Sequence, residues 1–417
     1  MRRTALLLAS MALALMLASG VAFSQSTPTT GSLDATTLST GKCIPGNQAS
    51  AKDPRSITIM TRNLYLGANL DPVIAAASTG GDVFKAVSDT WATIVGTDFN
   101  TRAEVLADEI EATEPMLVGL QEVTLYRTGP PDSFSSHPTP AEHVEYNYLQ
   151  ILLDALDKRG LHYAPVALPE HDPIPEDPTK NTNNFDAELP GDTDIRPGPN
   201  HVNPQDIRIT DYDVILKRTD LPASQPQPQF TNPQTGHFAK HVTLPIGVAL
   251  KRGWGSVDVT LGGQTFRFIN THLEQEGPFN AIQVAQGQEI LDGPVAEAAE
   301  TNLPVILAGD FNSRAGGGGT LTYSKLIDAG FKDAWSVTHP GELGNTWGHE
   351  EDLLNKKVNL TQRLDLVLFR DGNPADGLPD VLCASDADVV GDELQDRTTS
   401  GLWPSDHAGV VATLRGE

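Results

Sequence analysis

Positive charge is scarce in this sequence of 417 residues. Lysine and arginine total 29 against 54 aspartate and glutamate residues, which gives a formal net charge of −25. No basic cluster interrupts the acidic excess, and non-specific binding to nucleic acid or to anionic membranes depends on such clusters. The charge balance therefore opposes a general polyanion-binding protein. It does not exclude a polyanionic substrate, because a bound metal ion can supply positive charge locally.

Cysteine is nearly absent, with only Cys43 and Cys383 in the whole chain. In an exported protein these two thiols can pair, and the bridge would tie an early segment to a late one. The alternative is two free thiols. The sequence slightly favours the bridge, but the sequence alone does not give the separation of the two residues.

Long apolar runs are also missing, except for one at the N-terminus. Arg2 and Arg3 precede an apolar stretch over residues 5–21, and small residues follow up to Ser24. This order is typical of a secretory signal peptide, here residues 1–24. A transmembrane anchor is the alternative, but the run is short and polar sequence follows it at once. We therefore expect a secreted protein, extracellular or periplasmic, without a stable membrane anchor.

The remaining chain divides into a leader and one domain. Residues 25–54 are rich in Ser, Thr and Gly, which predicts a flexible leader. From residue 55 to 417, alternating strand and helix patterns predict one domain with two sheets and outer helices. Stretches crowded with Pro, Asp, Asn, Gly or Gln predict surface loops within it, at 127–141, 169–206 and 219–236.

Hydrophobic periodicity places the main elements of this domain. Helices are predicted at 101–113 and 280–300. Strands are predicted at 56–60, 116–120, 212–217, 245–250, 256–261, 265–270, 304–308, 364–369 and 409–414. The sequence Leu-Gly-Gly-Gln at 261–264 predicts a hairpin turn between two of them.

Polar residues repeatedly follow the apolar strands, and the segment around Asp310 is the most informative. A buried strand delivers Asp310, and Asn312 comes two positions later. On an extended chain both side chains point the same way, so a carboxylate and an amide converge. The carboxylate can take a proton from water, and the amide can hold a phosphate oxygen or a metal. An ordinary turn with an Asx hydrogen bond is the alternative.

Two histidines follow the same logic. His272 ends an apolar strand; there a histidine is more often a packed residue, but in a phosphoesterase it would donate to the phosphate. Asp406 and His407 fit a loop, where one binds metal while the other acts on the phosphate.

Asp365 lies inside an apolar strand, where an unpaired carboxylate is costly, so it needs a partner. His407 is the natural partner, and Arg363 is the alternative.

Two further residues close the first strands of the domain, Asn63 and Glu122. Glu122 is a hard oxygen ligand suited to magnesium, manganese or calcium. Asn63 either orients Glu122 or binds the metal directly.

Taken in order, these motifs resemble the endonuclease/exonuclease/phosphatase superfamily, which includes deoxyribonucleases, abasic-site endonucleases, sphingomyelinases and inositol polyphosphate 5-phosphatases. The resemblance spans residues 56–415. It implies an α/β fold, a four-layer sandwich in which two packed mixed β-sheets are flanked by helices. It also implies a divalent cation, most simply Mg²⁺ with Mn²⁺ or Ca²⁺ as alternatives, bound by Glu122 with Asn63 and Asp406 close to it.

The resemblance assigns the catalytic roles as well. Asp310 would align or deprotonate the attacking water, and Asn312 would hold the phosphate. His272 and His407 would contact the phosphate and stabilise the transition state, with Asp365 orienting His407. The expected reaction is in-line attack of water on phosphorus.

The substrate stays open between a nucleic acid, a phospholipid and a small phosphate. No basic cluster supports a nuclease, and no aromatic hairpin supports a sphingomyelinase-like enzyme. Arg208, Asp211 or Tyr212 are expected either to contact substrate or to start a strand with a surface ion pair. We expect a monomer. The alternative outside the enzymes is a non-catalytic secreted binding protein, although every expected polar position is filled.

Overall fold

The computed structural model describes residues 56–131, 140–167, 182–195, 202–244, 247–371 and 382–416. All of them belong to one unit of the chain, Cys43–Glu417. The predicted signal peptide, the predicted leader and Cys43 lie outside the described residues, so export and the disulfide stay predictions. Among the described residues, no helix is both long enough and apolar enough to cross a membrane.

Strands with few polar interruptions form the centre of the fold. The strands are β1 (Ser56–Asn63), β2 (Leu117–Gln121), β3 (Leu125–Gly129), β4 (His143–Asn147), β5 (Tyr163–Pro165), β6 (Thr182–Asp192), β7 (Pro204–Arg218), β8 (Gln229–His237), β9 (Val242–Thr243), β10 (Ala249–Leu250), β11 (Gly253–Leu261), β12 (Gln264–His272), β13 (Val305–Asp310), β14 (Lys332–Asp333), β15 (Asp365–Arg370), β16 (Leu382–Val390) and β17 (Gly409–Gly416). The helices are α1 (Asp71–Thr79), α2 (Val83–Gly96), α3 (Phe99–Thr113), α4 (Tyr148–Lys158), α5 (Asn280–Asp292), α6 (Pro294–Glu300), α7 (Thr322–Asp328) and α8 (Ala334–Thr338).

The strands form two large mixed sheets. A nine-stranded sheet has the order β16-β17-β1-β2-β7-β3-β4, and β5 and β6 also pair with β7. A six-stranded sheet has the order β14-β15-β13-β12-β11-β8. The pairs β1–β2 and β12–β13 are parallel and their other neighbours are antiparallel, so both sheets are mixed.

The two sheets pack face to face, and helices cover their outer faces. Alternate residues of β1 show this: Ile57 and Ile59 lie in the core shared with β11, β12, β13 and β15, whereas Met60 faces α2, α3 and α4. On the far side, α5, α6 and α7 pack against the six-stranded sheet. Burying one such isoleucine contributes about 1.5–3 kcal/mol. The predicted four-layer α/β sandwich is confirmed.

Strand register gathers the polar strand ends at one end of the sandwich. In the parallel pair β1–β2, Asn63 lies opposite Gln121, directly before Glu122. In the second sheet, His272 lies opposite Asp310, and Asp310 lies opposite Asp365. Because parallel strands end at a common edge, residues far apart in sequence meet there.

The predicted loops need the largest correction. The stretch 169–206 contains the eleven-residue β6 and the start of β7, 219–236 contains most of β8, and 127–141 contains the end of β3. Pairing overrides the local composition: β6 follows β7 from Thr182–Asp213 to Asp192–Pro204. Residues 132–139 of the stretch 127–141, and residues 169–181 and 196–201 of the stretch 169–206, lie outside the described residues.

Two further predictions differ from the structure. The strand predicted at 245–250 is reduced to the two-residue β10, with residues 245 and 246 outside the described part. The helix predicted at 280–300 is two helices, because Gly293 leaves the helical region (φ −101°, ψ −109°) and Pro294 starts α6. The remaining predicted strands are present, and β7 extends well upstream of the predicted 212–217.

Candidate active site

The six-stranded sheet brings three buried polar residues to its edge. His272 and Asp310 are the last residues of β12 and β13, and Asp365 is the first residue of β15. His272 Nε2 lies 3.5 Å from Asp310 Oδ2. All three side chains are almost fully buried. This edge therefore holds two carboxylates and an imidazole that need polar partners.

The nine-stranded sheet contributes Asn63 and Glu122. Asn63 Nδ2 donates to Glu122 Oε1 at 3.1 Å and to Asp310 Oδ2 at 3.2 Å, so it joins the two sheets. Its Oδ1 accepts from the backbone N–H of Tyr65 at 2.9 Å. Glu122 has φ 57°, and Leu66 N donates to its Oε2 at 2.7 Å. Asn63 thus orients Glu122, as one of its two expected roles required.

Asp365 pairs with His407, as predicted. His407 Nδ1 lies 2.8 Å from Asp365 Oδ2, and Arg363 instead donates to Asp333 at 2.5 Å. Burial alone lowers the pKa of His407, but the charges of Asp365, Asp406 and Asp310 raise it to about 10. His407 is therefore a cation at neutral pH, and its Nε2 lies 3.7 Å from Asp310 Oδ2.

Asp310 and Asp406 are buried carboxylates, and burial makes their ionised forms costly. Burial raises the pKa of Asp310 to about 7, although the charge of His407 opposes the shift. Burial likewise raises the pKa of Asp406 to about 6, with the charge of Glu122 adding to it. The backbone N–H groups of Gly348 and His349 hold Asp406 by its carbonyl. A cation next to these groups would stabilise their ionised forms.

Asn312 lies in a turn rather than on an extended chain. Its φ is 46°, and its backbone N–H donates to Asp310 Oδ1 at 2.9 Å. The Asx hydrogen bond that was the structural alternative is therefore present. Asn312 Nδ2 donates to Leu273 O at 3.0 Å, which leaves one amide hydrogen and the amide oxygen for a ligand.

His272 has surroundings that sequence reasoning missed. Arg252 Nη1 lies 2.7 Å from its Nδ1 and 3.2 Å from its Nε2, and Asp213 Oδ1 lies 3.9 Å from Nδ1. Burial lowers the pKa of His272 well below its usual value, and the charge of Arg252 lowers it further. His272 is therefore neutral. The available signal was Asp213 itself, an acid inside an apolar strand.

The sequence left the roles of three residues of β7 open, and the structure places them in different surroundings. Asp211 is fully buried beside this network and accepts from Asn184 Nδ2 at 2.9 Å. Burial raises the pKa of Asp211 to about 7. Arg208 pairs with Asp186 at 2.6 Å, which fits the ion-pair alternative. Tyr212 packs in the core under the helices of the nine-stranded sheet.

Fold and site together define a class of protein: a four-layer α/β sandwich with carboxylates, an amide and two histidines collected at one end. The model of the Endonuclease/Exonuclease/phosphatase family matches residues 95–407, and the chain belongs to that family. The resemblance seen in the sequence is thereby confirmed.

Individual relatives are more distant. Tyrosyl-DNA phosphodiesterase 2 of Mus musculus is 32% identical over 162 residues, which cover 38% of this chain and 40% of the mouse protein. The Rattus norvegicus protein of the same name is 30% identical over 162 residues, with the same shares. The match thus spans well under half the length of these relatives.

Among solved structures, an endonuclease/exonuclease/phosphatase family protein from Bacteroides thetaiotaomicron is similar with a TM-score of 0.50 and 15% identity. The similarity covers 87% of this chain and 98% of the other. At this identity the similarity concerns the fold alone.

Proposed function

We propose that this protein is a divalent-metal-dependent phosphoesterase that hydrolyses its substrate by in-line attack of water. One observation carries the proposal: Asn63 hydrogen-bonds both Glu122 of one sheet and Asp310 of the other. The same Asp310 carboxylate oxygen faces His272 and His407. A carboxylate base, two imidazoles and a separate carboxylate for a metal are the groups that phosphoester hydrolysis uses.

The residues present fit a divalent metal. Glu122 and Asp406 offer hard oxygen atoms, and burial, to which the charge of Glu122 adds, raises the pKa of Asp310 to about 7 and that of Asp406 to about 6. We propose Glu122 and Asp406 as ligands of Mg²⁺, with Asn63 beside them. When bound, the metal would polarise a phosphoryl oxygen and offset developing charge.

A second arrangement of possible ligands exists but is less suitable. Asp310, Asp365 and His407 have polar atoms within 4.8 Å of one another. However, His407 Nδ1 already lies 2.8 Å from Asp365 Oδ2, and the acids around His407 raise its pKa to about 10, which favours the protonated ring. A protonated imidazole does not bind a metal. We therefore place the metal at Glu122.

The chain's own groups then have distinct roles. Asp310, whose pKa of about 7 suits a base near neutral pH, receives the proton of the attacking water. His407, oriented by Asp365, presents its cationic Nε2–H to the phosphate. His272 donates a hydrogen bond as a neutral imidazole. Asn312 holds a non-bridging oxygen with its remaining amide hydrogen.

For the substrate we propose a phosphodiester first. The rodent relatives that the chain matches in part are named phosphodiesterases. The net charge of −25 argues against an extended nucleic-acid groove, so a short or small phosphodiester fits better. The alternatives are a phospholipid, which is a phosphodiester held in a membrane, and a phosphomonoester. The assay below separates them.

The deciding experiment is a hydrolysis panel with the mature protein. Bis(p-nitrophenyl) phosphate, p-nitrophenyl phosphate, sphingomyelin and plasmid DNA are incubated with Mg²⁺, Mn²⁺ or Ca²⁺, and with EDTA. We expect metal-dependent hydrolysis of at least one phosphodiester that EDTA abolishes. Turnover that persists in EDTA contradicts the metal role, and an inactive protein in every condition favours the non-catalytic binding alternative.

We also propose that the protein acts as a secreted monomer after removal of residues 1–24. The support is the basic start, apolar run and small-residue border in the sequence. Mass spectrometry of protein from the culture medium should give Gln25 as the first residue, and light scattering should give a monomer mass. An intact N-terminus would contradict export by cleavage.

A further inference from the structure

The buried arginines of this protein differ sharply in how their donors are used. In four of them each of the three guanidinium nitrogens donates to an acceptor within hydrogen-bond distance: Arg62, Arg102, Arg267 and Arg363. This is the normal state, because a buried donor without an acceptor costs free energy. In the part of the chain that the structure describes, Arg127 Nε makes no hydrogen bond, but Arg127 Nη2 donates to Thr210 and lies 3.5 Å from Asp186.

Among the buried arginines of the described residues, Arg252 is the one whose side chain has no oxygen acceptor at hydrogen-bond distance. It is only 9% exposed, and its Nε has no hydrogen-bond partner. Its one polar neighbour at contact distance is the His272 ring, through Nη1. Within the described ranges Arg252 forms no ion pair with a carboxylate. Most of the five N–H donors of this guanidinium are therefore unused.

The acids around Arg252 also have oxygens without partners, although Asp211 Oδ2 accepts from Asn184 and Glu274 Oε1 accepts from Gln275 N. Neither carboxylate oxygen of Asp213 has a hydrogen-bond partner, and the same holds for Asp211 Oδ1 and Glu274 Oε2. The charges of Glu274, Asp211, Glu122 and Asp213 act on Arg252 from beyond contact distance. An arginine kept only for charge balance would resemble Arg267, which grips Asp258 with two nitrogens at 2.8 and 3.2 Å.

The fold places Arg252 next to the reaction centre. Arg252 comes directly before β11, which pairs with β12, and its backbone carbonyl accepts from Phe238 N at 3.0 Å. The side chain reaches His272 at the end of β12. His272 in turn lies 3.5 Å from Asp310. The guanidinium is thus one imidazole ring away from the carboxylate proposed to activate water.

We propose that Arg252 binds a non-bridging phosphate oxygen of the substrate and selects for an anionic phosphoryl group. A guanidinium with free donors matches the geometry of phosphate oxygens and forms short charge-assisted bonds with them. The charges of the surrounding acids stabilise the cationic form of Arg252 without accepting hydrogen bonds from it. The inference deepens the proposed function and relies on it for the identity of the substrate.

Phosphate binding can be measured without turnover. Isothermal titration of the mature protein with inorganic phosphate, in Mg²⁺ and separately in EDTA, gives the affinity. We expect Arg252→Lys, which keeps the charge but loses the fork, to weaken binding about tenfold. Arg267→Lys is the matched control, a buried arginine of the same sheet with all donors in use, and should bind phosphate with unchanged affinity.

A second pair of variants separates binding from folding. Arg252→Met alone leaves Asp211 and Asp213 without a nearby cation and is expected to destabilise the protein. Arg252→Met/Asp213→Asn removes one of those charges, and Asp213→Asn alone keeps the arginine. The proposal requires the double variant to fold yet lose phosphate affinity about tenfold or more, while Asp213→Asn retains it.

The outcomes distinguish this inference from the proposed function. Phosphate affinity that depends on Arg252 supports the inference even if no substrate is hydrolysed. The absence of hydrolysis would then count only against the proposed enzyme function. With an active enzyme, Arg252→Lys should raise KM more than it lowers kcat. Wild-type phosphate affinity in both Arg252→Lys and the folded double variant overturns the inference, whatever the activity.

Discussion

The two histidines of the site sit in opposite electrostatic surroundings. His407 has the carboxylate of Asp365 at 2.8 Å, and neighbouring acids raise its pKa to about 10. His272 has the guanidinium of Arg252 at 2.7 Å, and burial and that charge lower its pKa well below the usual value. Both rings approach the same atom, Asp310 Oδ2, at 3.7 and 3.5 Å.

The two histidines differ in pKa because different strands place different charged partners beside them. The first residue of β15 supplies the acid beside His407, and the residue before β11 supplies the arginine beside His272. A cationic imidazole neutralises negative charge that develops on the phosphate. A neutral imidazole can only donate or accept a hydrogen bond. The two sides of Asp310 should therefore respond differently to the same substitution.

The largest effect is expected on the cationic side. His407→Gln keeps a neutral hydrogen-bond donor but removes the charge, so kcat should fall about 10³-fold on the substrate that the hydrolysis panel identifies. Circular dichroism serves as the folding control. Activity within about tenfold of wild type would mean that the charge of His407 is not used.

The next effect concerns the carboxylate that creates this charge. Asp365→Asn removes the negative partner of His407, so we expect kcat to fall about 10²-fold. The pKa of His407, raised to about 10 by its acids, should move down towards 6.5. The alkaline limb of the kcat/KM profile should shift to lower pH. An unchanged limb would assign it to another group.

The neutral side should be more tolerant. His272→Gln replaces one neutral donor with another, so kcat should fall only about tenfold, and His272→Ala about 10²-fold. The comparison of the two glutamine variants is the sharpest test of the division. Equal losses at His407 and His272 would show that the two imidazoles are in the same charge state during the reaction.

Most of the proposed catalytic residues could be identified from the sequence because they end or interrupt an apolar strand. Asp310 follows a run of five small or aliphatic residues, and Asp365 interrupts a similar run, so the cost of burial pointed to a partner. That argument required a partner for Asp365 and named His407 as the natural one, with Arg363 as the alternative that the structure rules out. Which strand ends meet depends on the register across both sheets. No register could be read from the sequence, and the convergence of these residues was implied only by the resemblance to the family.

Arg252 was not accessible from sequence, because its burial depends on long-range pairing. Locally it reads as part of Lys251-Arg252-Gly253, an ordinary polar turn. Asn184 of β6 accepts from Lys251 N at 2.8 Å, and β6 lay in a stretch whose Pro and Asn content predicted a loop. The cost argument used for Asp365 applied equally to Asp213 in β7 and would have revealed a hidden cation.

The smallest expected effect is on stability, and it too divides between the two sides. Asp310 and Asp406 have pKa values raised by burial to about 7 and about 6, and Asp211, on the His272 side, to about 7. Their usual value is 3.8, so between about pH 4 and 6 the native state binds more protons than the unfolded state. These carboxylates therefore lower the free energy of unfolding as pH rises through this window, and His272, whose pKa is lowered by burial, opposes part of that fall.

Thermal melting in EDTA from pH 4 to 6 should show this fall, with about 2 °C lost per kcal/mol for a chain of this size. Mg²⁺ bound by Glu122 and Asp406 should offset the share of Asp406 directly and that of Asp310 through its charge, and it should change the share of Asp211 least. Asp211→Asn should reduce the slope that remains in Mg²⁺, to which the raised pKa values of Asp213 and Asp392 also contribute, and leave most of the slope in EDTA. If Mg²⁺ removes the pH dependence of the wild-type melting temperature completely, the metal also acts on Asp211. The surroundings of His272 would then not be electrostatically separate from those of His407.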